Sequence, residues 1–160
     1  MTILGSVWEG VVEMKLAVAC DHRGFEAKRR LLPLLKKLGH EVKDFGCEST
    51  AACDYPDFAA PVARSVASGE ADIGILLDGT GIGMSVAANK VKKVRAALVH
   101  DEVTARTSRE KNHCNVLCLG TDLLSEDQVR KIVEIFLNTP WTDGRHTQRV
   151  QKVMQIEPGD

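Results

Sequence analysis

The sequence LLDGTGIGMSVAANK, residues 76–90, places three glycines at alternate positions directly after an apolar run. Residues 73–77 are almost wholly apolar, which is typical of a strand buried on both faces of a parallel sheet. A carboxylate, Asp78, stands where the strand meets the glycines. The stretch therefore predicts a central strand that ends in a glycine loop with an acidic group at its start.

Strand-like and helical patterns alternate on both sides of this stretch. We predict strands at residues 15–19, 41–45, 73–77, 95–99 and 115–119, and helices at about 24–38, 56–68, 101–110 and 125–138, besides a short helix after the glycine loop. Gly39 is expected to end the first helix, and Pro61 to bend the early turns of the second. This alternation indicates an α/β fold with a parallel sheet covered by helices. A last helix after Trp141 has no strand behind it, and we expect it to reach a neighbouring subunit.

Chain length and composition favour one domain. The 160 residues are 44% apolar, which is enough to form a real core. Residues 1–14 have no basic start, contain Glu9 and Glu13, and lack an apolar run long enough for a secretory signal or a membrane span. We interpret them as an N-terminal extension before a single domain at residues 15–160.

Charge and cysteine content narrow the class of partner. The formal net charge of −1 gives no reason to expect nucleic acid or an anionic membrane, so the partner is expected to be a small molecule or another protein. The five cysteines are scattered and contain no Cys-x-x-Cys pair that would indicate zinc. Reduced thiols in a cytoplasmic protein fit this pattern.

Ligands of an open parallel sheet bind beyond the carboxyl ends of its strands, so the residues after each strand are the candidates for a site. Four of the predicted strands run into CDHRG, DGTGIG, HDE and GTD. These segments gather polar side chains on one rim, namely Asp21, His22, Asp78, Thr80, His100, Asp101 and Asp122.

The glycine loop itself allows several interpretations. Its G-x-G-x-G spacing after the third strand departs from the dinucleotide-binding pattern, and the P-loop pattern is absent. A nest of backbone N–H groups would hold an oxygen that becomes negatively charged during a reaction. A tight turn that merely requires glycine is the structural alternative. Three alternating glycines beside Thr80 favour the functional interpretation.

Several segments in order resemble the type B ribose-5-phosphate isomerases and the related galactose-6-phosphate isomerase subunits. The segments are ACDHRGFEAK (19–28), DYPDFA (54–59), DGTGIGMSVAANK (78–90), RAALVHD (95–101), SREKN (108–112) and GRHTQRV (144–150). The resemblance covers roughly residues 15–156. It implies a Rossmann-like three-layer sandwich that interconverts aldose and ketose phosphates, without metal or nucleotide. It also implies a homodimer or a dimer of dimers with sites between subunits.

The resemblance also implies roles for individual residues. The candidate catalytic residues are Asp78, Thr80, Lys111 and His113. The candidate substrate-binding residues are Asp21, His22, Gly79, Gly81, Ile82, Gly83, His100, Asn112, Arg145 and Arg149. In this scheme the backbone of residues 79–83 stabilises the enediolate oxygen, and the last two arginines bind phosphate across the subunit interface. Their i, i+4 spacing puts them on one side of a helix, as either a phosphate clamp or a solvated face would require.

Three positions depart from the pattern that the resemblance implies. Asp78 stands where many type B enzymes carry a cysteine base, Lys111 where they carry the ring-opening histidine, and Asp122 where they carry a phosphate-binding arginine. A carboxylate can serve as the carbon base of such an isomerase, although an ordinary Asp pKa near 3.9 makes it weak unless the site is dry. A carboxylate would repel a phosphate, so three alternatives stay open. Asp122 points elsewhere, it pairs with an arginine, or the protein handles a different sugar phosphate or none. His113 and His100 are alternative ring-opening residues.

Two functions follow. The first is isomerisation of a sugar phosphate, most simply ribose 5-phosphate to ribulose 5-phosphate, with Asp78 as the base. The second is a catalytically altered phosphosugar-binding or partner subunit, paired with a cysteine-bearing paralogue. Turnover of aldose phosphates by the purified chain distinguishes them.

Overall fold

The computed structural model describes residues 12–159. Residues 1–11 of the predicted N-terminal extension lie outside this range. The first strand begins at Lys15, where the sequence places the start of the domain.

Five parallel strands and six helices alternate along the described chain. The strands are β1 (Lys15–Cys20), β2 (Glu41–Asp44), β3 (Ile73–Asp78), β4 (Ala96–Leu98) and β5 (Val116–Gly120), and the helices are α1 (Phe25–Lys37), α2 (Tyr55–Ala67), α3 (Ile82–Ala88), α4 (Glu102–Glu110), α5 (Glu126–Asn138) and α6 (Arg145–Met154). The sheet order is β2-β1-β3-β5-β4, with every pair parallel. The predicted α/β fold is therefore confirmed, with the glycine-loop strand β3 at its centre.

Helices cover both faces of the sheet and produce three layers. Buried side chains of α1, α4 and α5, such as Leu35 and Phe136, pack on one face of the sheet. Buried side chains of α2 and α3, such as Val62 and Met84, pack on the other. All six residues of β3 are buried, because this strand lies between both layers.

The helix ends lie close to where the sequence signals place them. Gly39, with φ of +92°, follows the end of α1, and α2 continues through Pro61. Asp101 and Ser125 cap α4 and α5 by accepting hydrogen bonds from the N–H groups of Thr104 and Gln128. Because all five strands are parallel, the helix after each strand starts at the same edge of the sheet, which we call the carboxyl edge; the opposite one is the amino edge.

The last helix, α6, lies outside the three layers and buries none of its residues. It is anchored near the amino edge, where Arg95 Nη1 lies 3.1 Å from Met154 Sδ and the N–H of Lys93 donates to Glu157 Oε1 at 2.6 Å. Between residues 12 and 159, none of the helices combines the length and the hydropathy needed to cross a lipid bilayer.

Candidate active site

Asp78 is the last residue of β3 and its side chain is buried, with 5% exposure. Its Oδ1 accepts a hydrogen bond from the N–H of Gly81, across the turn of the glycine loop. The backbone of Met84 also lies close enough to lower the pKa of this carboxylate. The strand end and the loop thus fix the position of the carboxylate.

The pKa of Asp78 is raised above the ordinary value of 3.8. Burial is the largest cause, and the hydrogen bond from Gly81 opposes it; the nearby Asp21 carboxylate raises the pKa further. Asp78 is therefore a better proton acceptor than an exposed aspartate, which is what a carbon base requires.

Two glycines of the loop are needed for close packing. Gly81 has φ of +79°, and a Cβ there would lie 2.4 Å from Leu98 Cδ1. A Cβ at Gly83 would lie 2.8 Å from the ring of Tyr55. The glycines therefore let the loop approach β4 and α2 closely, which holds its amide groups in place.

Only part of the loop backbone is open to a ligand. Gly81 donates to Asp78, and the N–H of Ile82 donates to Thr80 Oγ1 at 3.3 Å. Within the described chain, the N–H groups of Gly79, Thr80 and Gly83 have no hydrogen-bond acceptor. These three amides are the candidates for an oxyanion site, which is narrower than residues 79–83 as a whole.

Asp21 and His22 follow β1 and border the same site. Buried Asp21 accepts hydrogen bonds from the N–H groups of Arg23 at 2.9 Å and Gly24 at 3.2 Å, so its carboxylate shapes the turn before α1. His22 Nδ1 accepts the N–H of Cys53 at 3.3 Å. A neutral His22 ring therefore carries its proton on Nε2.

Asp122 does not stand unpaired at the rim. Arg23 donates from Nε to Asp122 Oδ2 at 2.8 Å, and its Nη2 bonds the same oxygen. The backbone N–H of Asp122 donates to the carbonyl of Gly79 at 3.1 Å. This corresponds to one of the sequence alternatives, in which Asp122 pairs with an arginine.

His100 and Asp101 complete the carboxyl edge beyond β4. His100 is exposed, and its backbone N–H donates to Thr104 Oγ1 at 3.2 Å. Hydrogen bonds from Thr104 hold the pKa of Asp101 below its usual value, so this carboxylate serves as the cap of α4. The rim predicted from the sequence thus forms at one edge of the sheet.

Lys111, Asn112 and His113 lie elsewhere, at the amino edge. They follow α4 and precede β5, and the N–H of His113 donates to Arg109 O at 3.2 Å. Lys111 and Asn112 are exposed, and Asn112 Nδ2 donates to Thr107 O at 3.4 Å.

His113 has a packing partner. Its ring stacks on Trp141 with centroids 4.7 Å apart and planes 15° apart. Burial and then the positive charges of Arg95 and Arg109 lower its pKa. His113 is therefore a neutral, half-buried ring that joins the chain before α6 to the amino edge.

Arg145 and Arg149 project from α6 near the same edge. His146 lies between them, and its pKa is lowered by desolvation and then by the charges of Arg145, Arg149 and Lys111. Glu110 acts on the pKa of His146 in the opposite direction. The positive charges of Lys111 and the two arginines therefore lie near His146, and we call these four residues the α6 cluster.

The two groups of candidate residues are separated within one chain. Asp78 lies at the carboxyl end of β3, whereas Lys111 lies before the amino end of its neighbour β5. Five residues of β5 span about 16 Å at the usual rise per residue. One chain therefore presents two partial sites at opposite edges.

Three residues near these sites were missed by the sequence analysis. Arg23 and Tyr55 pack against glycines of the loop, and His146 lies in the α6 cluster. All three stand inside segments quoted for the resemblance, ACDHRGFEAK, DYPDFA and GRHTQRV, but their contacts depend on tertiary structure.

A cavity of about 610 Å³ between α1 and α5 borders this site through Arg23 and Thr121. Besides Arg23 and Thr121, it is lined by apolar side chains and by paired charges of the two helices. Among residues 12–159, no three His, Cys, Asp or Glu side chains are grouped as a metal ion would require.

Comparison with known proteins identifies relatives over almost the whole domain. The family model described as Ribose/Galactose Isomerase matches residues 16–153. The chain is 41% identical to ribose-5-phosphate isomerase B of Escherichia coli over 89% of this chain and 96% of that protein. It is 38% identical to the galactose-6-phosphate isomerase subunit LacB of Clostridium acetobutylicum, over 87% of this chain and 80% of that protein.

Solved structures of ribose-5-phosphate isomerases B have the same fold as this chain. Ribose-5-phosphate isomerase B of Clostridium thermocellum superposes with a TM-score of 0.88 at 45% identity, covering 89% of this chain and 97% of that one. The Mycoplasma genitalium enzyme, solved with bound ribulose 5-phosphate, gives a TM-score of 0.84 at 40% identity, covering 88% and 94%.

Proposed function

Because this chain belongs to the ribose/galactose isomerase family of sugar-phosphate isomerases, we propose that it interconverts ribose 5-phosphate and ribulose 5-phosphate through an enediolate. The observation that carries the proposal is the buried carboxylate of Asp78, fixed by Gly81 beside open backbone amides. A base next to donors for a developing negative charge is what proton transfer between adjacent carbons needs.

The carboxylate of Asp78 takes the proton from C2 of the open-chain aldose. The electron pair of that bond forms the double bond between C1 and C2, and the carbonyl oxygen on C1 becomes negatively charged. The amides of Thr80 and Gly83 stabilise that oxygen, and the Thr80 hydroxyl assists proton transfer between the two oxygens. Returning the proton from Asp78 to C1 gives the ketose, with no net change in the enzyme.

Asp21 and His22 hold the sugar hydroxyls in this proposal, together with Ile82 and His100 at the rim. The ring Nε2 of neutral His22 is a donor, whereas the carboxylate of Asp21 is an acceptor. Sugars present both kinds of partner on neighbouring hydroxyls. No metal or nucleotide takes part in the proposed reaction.

A second copy of the chain supplies the remainder of the site. Ring opening acts on the oxygen bonded to C1, so its catalyst must reach the same end of the sugar as Asp78. Lys111 of the same chain is at the opposite edge of the sheet, as are Asn112, Arg145 and Arg149. Exposed apolar side chains on α3 and on or just after α6, namely Ile82, Val86, Val153 and Ile156, are compatible with a covered interface. We therefore infer a homodimer, or a dimer of dimers, in which each α6 cluster completes the partner's site.

The alternative is a phosphosugar-binding subunit with little turnover of its own. Lys111 favours it, because an exposed lysine is a weaker candidate than histidine for proton transfer at neutral pH. The test is isomerisation by the purified chain of ribose 5-phosphate, allose 6-phosphate and galactose 6-phosphate, followed by the appearance of each ketose. Turnover of ribose 5-phosphate supports the proposal; binding without turnover of any of the three supports the alternative. The reduced thiols expected from the sequence fit a cytoplasmic setting for either function.

A further inference from the structure

The carboxyl edge of this chain is acidic where an anionic substrate must bind. Asp21 and Asp78 are buried there, and the carboxylates of Asp21 and Asp122 are close enough to raise the pKa of Asp78. A negatively charged group that approaches the loop meets these carboxylates unless a cation lies between. The guanidinium of Arg23 is such a cation, and it touches the loop of its own chain.

Contacts with Gly79 fix the position of Arg23. A Cβ at Gly79 would lie 2.8 Å from Arg23 Nε and 2.8 Å from Asp122 Oδ2, so the ion pair packs directly on the glycine. Thr121 Oγ1 donates to the carbonyl of Arg23 at 3.1 Å, which ties its backbone to the end of β5. Arg23 is thus held both at its backbone carbonyl and at its guanidinium group.

One edge of the guanidinium remains for a ligand. Asp122 engages Nε and Nη2 through a single oxygen, and Nη1 makes no hydrogen bond to any described residue. The side chain of Arg23 is 58% exposed. An arginine presents a planar fork of donors that suits a phosphate group, and fixing it in advance reduces the entropy lost on binding.

We propose that Arg23 binds the phosphate group of the substrate at the carboxyl edge and sets the preference for phosphorylated sugars, with Asp122 as its positioning residue. This inference rests on the proposed function, because it assigns a ligand contact within the same site. It gives each chain a phosphate contact of its own in addition to the cluster supplied by the partner. Asp122 thereby becomes compatible with an anionic substrate, since its charge is directed into Arg23.

The decisive variant is the double substitution Arg23→Ala with Asp122→Ala, which removes the cation without exposing a carboxylate and keeps the net charge unchanged. The matched control is Glu26→Ala with Arg29→Ala, which removes an exposed ion pair of the same type from α1. Binding of 4-phosphoerythronate, whose carboxylate resembles the enediolate, and of unphosphorylated erythronate is measured by calorimetry. Both pairs are exposed and contribute little to stability, so both variants are expected to fold.

We expect the Arg23→Ala, Asp122→Ala variant to bind 4-phosphoerythronate roughly tenfold more weakly or worse, and the control variant to match the wild type. Binding of erythronate stays the same, and KM for ribose 5-phosphate rises with little change in kcat. Unchanged affinity for 4-phosphoerythronate overturns the inference, because Arg23 then only neutralises Asp122. Equal losses for both ligands also overturn it, since Arg23 then only shapes the loop. If the wild type binds neither ligand, the failure lies with the proposed function itself.

Discussion

The ammonium group of Lys28 is buried and donates to Asp44 Oδ1 at 2.6 Å and to the carbonyl of Cys47 at 2.8 Å. It joins α1 to the segment that follows β2. That segment continues to Cys53, whose N–H bonds His22. This charge pair therefore anchors the segment that leads to the histidine at the site.

Substitution Lys28→Met keeps most of the stem volume but removes the ammonium group, leaving Asp44 and the Cys47 carbonyl without their partner. We expect the free energy of unfolding, measured by urea denaturation, to fall by about 3 kcal/mol. The control is Lys37→Met, an exposed residue at the end of the same helix, for which the change should be within about 0.5 kcal/mol. Equal effects of the two substitutions would contradict a structural role for the buried ammonium.

The sequence predicted the elements well because their signals are local. The apolar run before Asp78, the cap residues Asp101 and Ser125, and Gly39 each act through their immediate neighbours. The boundaries differ from the predictions by at most one residue. Asp78 belongs to β3 and not to the loop, since its backbone still pairs with Gly120 of β5.

The sequence did not predict which residues of the site contact each other in the folded protein. The sequence placed the rim residues after their strands, but the distance from Asp78 to Lys111 depends on which edge each occupies. The ion pair of Arg23 and Asp122 joins residues 99 positions apart. No periodicity or motif encodes such a contact, because it depends on β1 and β5 both lying next to β3.

A shared site predicts activity in mixed dimers of two inactive variants. Asp78→Asn loses the base, and Arg145→Ala with Arg149→Ala loses the phosphate clamp. If the clamp serves the partner's site, a dimer with one chain of each kind has one intact site and one with both defects. An equal mixture, unfolded and refolded together, should recover about a quarter of wild-type activity, because half of its dimers are mixed. Each variant refolded alone is the control. Recovery near zero would indicate that Asp78 and the arginines serve the same chain's site.

Ring opening can be separated from isomerisation by choice of substrate. Ribulose 5-phosphate cannot close a furanose ring, because its O5 carries the phosphate, whereas ribose 5-phosphate is largely cyclic. If Lys111 opens the ring, Lys111→Ala should slow the reaction of ribose 5-phosphate and spare the initial rate from ribulose 5-phosphate.

Variants of His113 and His146 test whether either histidine opens the sugar ring together with Lys111 or in its place. His113→Ala should lower the melting temperature through loss of the Trp141 stack, whether or not it changes the preference between substrates. His146→Ala tests the third titratable group near Lys111. If none of the three variants distinguishes the two substrates, His100 at the carboxyl edge becomes the candidate.

The raised pKa of Asp78 predicts the pH dependence of stability. Above its raised pKa the folded protein bears the full cost of a buried charge, and below the ordinary value of 3.8 the group is protonated in both states and the cost is absent. Asp78→Asn keeps the acceptor for the Gly81 N–H and removes this cost. Its melting temperature should exceed that of the wild type at neutral pH, and the difference should vanish as the pH falls toward 3.8. A less stable Asn variant at neutral pH would show that hydrogen bonds to the carboxylate outweigh burial.

The same substitution tests whether Asp78 is the carbon base. Asparagine cannot accept the C2 proton, so Asp78→Asn should abolish exchange of that proton with deuterium from solvent while leaving 4-phosphoerythronate binding nearly intact. In the wild type, kcat should rise with pH through the raised pKa of Asp78, because only the carboxylate form accepts a proton. Asp78→Cys restores the base that the family resemblance implies and should support exchange at alkaline pH, where a thiolate forms. Wild-type exchange in the Asn variant would assign the proton to another base. If the wild type does not exchange the C2 proton, the phosphosugar-binding subunit is favoured. The buried carboxylate would then orient a ligand without removing a proton from it.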